Sequence, residues 1–64
     1  LLSERQEQVF AILKDGETLG VAEIDKRLNG SVPQVTIKQS LARLVALRLV
    51  ERVGQGRGVR YKKI

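Results

Sequence analysis

Few residues in this chain of 64 are of the types that do covalent chemistry. Histidine and cysteine are both absent, which removes the usual imidazole base, the commonest metal ligands, the thiol nucleophile and the disulfide. Glu4, Glu7, Glu23 and Asp25 could act as acids and bases, but each falls among solvent-facing helix positions, where burial does not tune a carboxylate. Solubility and helix-end electrostatics account for them. The segment Gly54-Gln55-Gly56-Arg57-Gly58 has the glycine density of a phosphate-cradling loop. It lacks the lysine-serine/threonine ending and the strand-to-helix setting of a nucleotide loop. No catalytic residue, no metal ligand and no cofactor is expected, and the chain does not read as an enzyme.

What remains is electrostatic. The net charge of +5 is unevenly spread. Residues 1–31 hold four cations against six anions, a net of −2, whereas residues 32–64 hold eight cations and only Glu51 as an anion, a net of +7. From Arg48 onward there are six cations. A neutral-to-acidic first half and a basic second half predict one face that meets a polyanion. The plain alternative is a solvated surface.

The elements that position these charges follow from periodicity. Ser3-Glu4-Arg5-Gln6 has the spacing of a capping box, and Val9, Phe10, Ile12 and Leu13 form an apolar stripe, so a first helix is expected from Glu4 to Asp15, closed by Gly16. Glu17-Thr18-Leu19 has room for a turn or a short strand bridge near Leu19. Val21, Ile24 and Leu28 predict a second helix over 21–28, broken by Asn29-Gly30. Pro33 suits a first helical turn, and Ile37, Leu41, Leu44 and Val45 predict a third helix over 34–47. The period then changes: 49–53 and 59–64 are rich in β-branched residues and read as strands flanking the glycine-rich segment.

Sixty-four residues and 7.1 kDa allow one domain, residues 1–64. Hydrophobic content of 42% and charged content of 30% are those of a globular chain. No apolar run approaches the roughly 20 residues of a membrane span, and no signal-peptide pattern opens the chain, so a cytoplasmic protein with no membrane partner is expected. The chain begins at Leu1 without a methionine, which predicts a domain cut from a longer protein.

Three helices followed by a glycine-tipped hairpin resemble a winged helix-turn-helix domain, an α+β fold in which a three-helix bundle carries a C-terminal β-hairpin wing. Ala22-Glu23-Ile24 with Leu28 resembles the family's second helix. Val35-Thr36-Ile37-Lys38-Gln39-Ser40-Leu41 is similar to the start of its recognition helix. Leu44 to Arg52 is similar to the run into the first wing strand. The family commonly has glycine where Arg48 stands, and the turn Asn29-Gly30-Ser31-Val32 is about a residue longer than usual. The wing is similar to those ending some larger prokaryotic regulators, of Fic type or ATPase-like.

The resemblance implies duplex DNA binding in transcriptional regulation, with the third helix in a major groove and the wing on the backbone or minor groove. With Ile37, Leu41 and Leu44 inward, the helix presents Val35, Gln39, Ala42 and Ala46, flanked by Thr36, Lys38 and Arg43. Gln39 suits an adenine edge, and Lys38 or Arg43 suits guanine or phosphate. Gln34, Val35, Thr36, Lys38, Gln39 and Arg43 are therefore the expected helix contacts, and Arg57, Arg60 and Lys62 the expected wing contacts, with Arg52 on the same ribbon. The uncharged strip Val35-Ala42-Ala46 equally suits a partner protein or a neighbouring domain, or the regulatory appendage of an enzyme. Specificity would come from a dimer formed through the parent protein. Phe10 and Tyr61 are the only aromatics, too few to stack single-stranded bases.

Overall fold

The computed structural model describes residues 2–64, with Arg57 described by its backbone alone. Ser3 starts the first helix, α1 (Glu4–Ala11), through the reciprocal cap its spacing predicts. Its hydroxyl accepts from the Gln6 N–H at 3.2 Å, and the Gln6 side chain accepts from the Ser3 N–H at 3.0 Å. The helix ends four residues earlier than the expected Asp15. Arg27 Nη1 donates to the Ile12 carbonyl at 3.3 Å, a carbonyl that a longer helix would use, and the Leu13 N–H turns back to Phe10 at 3.2 Å. Leu13 thereby drops into the core.

A two-residue strand, β1 (Thr18–Leu19), leads into α2 (Val21–Arg27). Asn29, at φ +55°, closes α2: its N–H donates to Lys26 at 3.0 Å and that of Gly30 to Asp25 at 3.3 Å. After Pro33 comes α3 (Gln34–Ala46), one residue shorter than expected, then β2 (Val50–Val53) and β3 (Arg60–Lys63). A single 3-10 turn, Gly56–Gly58, sits between the last two strands.

All strands join one antiparallel sheet in the order β1-β3-β2. The expected bridge near Leu19 is thus a full third strand, with Thr18 opposite Lys62 and Leu19 opposite Tyr61. On the other side of β3, Glu51 faces Lys62 and Arg52 faces Tyr61. Two residues carry no period of their own, so only the docked hairpin reveals β1 as a strand.

The core gathers Val9, Leu13, Leu19, Ile24, Leu28, Val32, Ile37, Leu41, Leu44 and Val50. Each fully buried aliphatic side chain contributes about 1.5–3 kcal/mol, and every helix and strand supplies at least one residue to the cluster or its edge. Ser40 is buried on α3 as well, a polar position the apolar period does not reveal. Three helices with a sheet whose last two strands form a hairpin make the α+β winged-helix architecture.

Candidate nucleic-acid interface

Helix α3 turns Ile37, Leu41 and Leu44 fully inward. At 100° per residue the opposite face must point to solvent, and it does: Val35, Gln39, Ala42 and Ala46 are exposed, with Lys38 and Arg43 exposed beside them and Thr36 half-buried. Val35 is 66% exposed, a large apolar side chain standing clear at the first turn of the helix. The Gln34 amide donates to Asp25 Oδ2 at 3.4 Å and ties that first turn back to α2. All six expected helix residues therefore lie on α3, with Thr36 and Gln34 turned partly toward the domain.

The ion pairs among the described residues are Arg27–Glu17, Arg60–Glu23 and Lys63–Asp15. Lys38 and Arg43 appear in none of them. Their charge is left for the outside.

The wing presents its cations on different faces. Strand alternation puts Arg60 and Lys62 on one face of β3, while Arg52, opposite Tyr61, shares the other face with Val50. Arg52 lies on the same hairpin as Arg60 and Lys62, on its opposite face. Lys62 is half-buried between Thr18 and Glu51. Arg60 reaches away from the hairpin: its Nη2 lies 2.9 Å from the Thr18 carbonyl and 2.7 Å from Glu23 Oε1. The Arg57 side chain, expected at the tip, lies outside the described residues. Its backbone belongs to the 3-10 turn.

Between α3 and the wing an open cleft of about 510 Å³ is lined by the start of α2, by Lys38, and by Gly56, Gly58, Val59 and Arg60. Periodicity and composition give no sign that Thr18 and Glu23 hold Arg60. Thr18 and Arg60 stand 42 positions apart, and no local signal links them. Among the described residues no cluster of three or more carboxylates gathers as a metal site, and no helix is long and apolar enough to cross a membrane.

The family profile described as "Penicillinase repressor" matches residues 2–63. Searches of curated proteins and of solved structures find no match. The likeness of the wing to those of Fic-type and ATPase-like regulators has no counterpart in these comparisons.

Proposed function

Because the chain belongs to the penicillinase repressor family, prokaryotic winged-helix regulators that bind DNA, we propose that α3 enters a major groove of duplex DNA while the wing lies on the adjacent backbone or minor groove. The observation that carries this reading is the outer face of α3, where Lys38 and Arg43, outside every described ion pair, flank an exposed strip of Val35, Gln39, Ala42 and Ala46. The family is one of repressors and not of enzymes.

In this arrangement the first turns of α3, from Gln34 to Gln39, face base edges and phosphates. Gln39 pairs with an adenine edge, and Lys38 and Arg43 reach guanine or phosphate. Val35 and Ala42 supply the apolar surface that meets a thymine methyl. Arg57 and Lys62 lie along the backbone. A single domain of this kind binds non-specifically at about 10⁻⁴–10⁻⁶ M. Repressors of this family typically dimerise, and two domains reading two half-sites supply the remaining specificity.

Fluorescence anisotropy with duplex oligonucleotides tests the reading. Binding by the parent should fall linearly in log K against log salt, and Lys38→Ala or Arg57→Ala should each flatten the slope by about 0.9. No measurable binding at low salt would overturn it. The exposure of Val35 favours one competing occupant, a partner protein seated on the Val35-Ala42-Ala46 strip. Ala42→Glu, at an exposed position, should leave the fold intact and abolish DNA binding. Retained DNA binding with loss of a protein partner would favour that alternative.

A further inference from the structure

We propose that Arg60 positions the wing by clamping it to β1 and α2, and that its charge is not a contact to the DNA backbone. The inference rests on the DNA-binding reading above and names which wing cation acts within the domain. Arg60 opens β3 where the chain leaves the wing loop. Its Nη2 meets the Thr18 carbonyl of β1 and Glu23 Oε1 of α2, and its Nε donates to the Thr18 hydroxyl at 3.4 Å. The same Glu23 oxygen accepts the Gly20 N–H at 3.3 Å. Two of the five guanidinium N–H groups thus donate to Thr18 inside the domain, and the Arg60–Glu23 ion pair is formally neutral. A neutral pair releases few counterions from DNA.

The wing needs such a tie. Residues 54–56 and Gly58 are exposed, and Val59 is only half-buried, so apolar packing does not set the angle of the loop. An open cleft separates it from α3. The wing is therefore oriented toward the recognition helix through its root, and the clamp at that root runs from Arg60 to Glu23 on the helix that packs against α3. Because the pair is about half exposed, it contributes little to global stability, and variants in it should fold.

The sign of one substitution separates the two roles of Arg60. Glu23→Ala removes a negative charge near the bound DNA and frees Arg60. If Arg60 were a phosphate contact, this change would tighten binding and leave or steepen the salt slope. If Arg60 is a clamp, binding to a duplex oligonucleotide weakens about threefold to tenfold. Arg60→Gln should weaken binding with the slope unchanged, whereas flattening by about 0.9 would overturn the proposal. A readout without DNA comes from residual dipolar couplings of the amides of residues 54–59. Glu23→Ala and Arg60→Gln should both rotate these vectors relative to α3. Unchanged couplings would overturn the clamp, while failure of the parent to bind DNA would overturn only the reading beneath it.

Discussion

The Leu49 N–H donates to the Leu44 carbonyl at 3.0 Å across the end of α3, and inside that loop the Arg48 N–H donates to Val45 at 3.0 Å. This two-bond closure places Arg48 in the left-handed region, at φ +63°. A side chain there crowds its own carbonyl, which is why winged helices commonly have glycine at this position. Arg48→Gly should stabilise the domain by about 0.5–1 kcal/mol, after glycine's larger unfolded-state entropy is set against the relieved strain. Urea unfolding should show a higher midpoint with an unchanged slope. A lower midpoint would mean that the Arg48 side chain stabilises the domain by more than its backbone strain costs.

Gly54 sits where the wing leaves β2, at φ +88°, and a Cβ on it would lie 2.7 Å from the Gly58 carbonyl oxygen. Gly56 also has positive φ, at +59°, but a Cβ there meets nothing within 4 Å. Gly54→Ala should therefore cost about 1–3 kcal/mol, and Gly56→Ala should cost less. Thermal melts of both variants, with amide shifts of β3 recorded alongside, check the order. Equal losses would show that φ alone, and not the approach of Gly58, constrains the wing.

Ile24 and Leu41 are both fully buried where the helices meet. Ile24→Asp or Leu41→Asp places an unpaired carboxylate among aliphatic side chains, at a cost of about 4–5 kcal/mol or more. A domain this small has a total stability near about 5 kcal/mol. Circular dichroism should show no cooperative melt for either variant, and a melt near the parental temperature would refute the core packing.

Glu17 hydrogen-bonds to Arg27, and that guanidinium holds the Glu17 carboxyl below the ordinary glutamate value. A depressed carboxylate pKa stabilises the folded state above the unfolded pKa, about 4.3, and the contribution is lost as pH falls through the lower folded value. The melting temperature of the parent should therefore exceed that of Glu17→Gln near neutral pH, with the gap closing below about pH 4. A gap that stays constant with pH would show that the ion pair contributes nothing beyond the hydrogen bond that a neutral amide side chain retains.

Much of this molecule is written locally. The Ser3–Gln6 cap, the 3.6-residue period of Ile37, Leu41 and Leu44, the breaker pair Asn29-Gly30 and the change of period after Arg48 each depend on neighbours a few residues away. The helices, the hairpin and the outward face of α3 were legible for that reason. The asymmetry of charge was legible too, since it needs no structure.

Contacts between distant positions belong to the tertiary structure. Helix α1 stops at Ala11 because Arg27, on another helix, takes the Ile12 carbonyl. Thr18–Leu19 is a strand because β3 docks beside it. Arg60 counts as a wing cation in the sequence, yet in the folded domain it faces Glu23 and Thr18. Periodicity tells which way a side chain points from its own helix or strand, and only the packing of one element on another decides what it meets there.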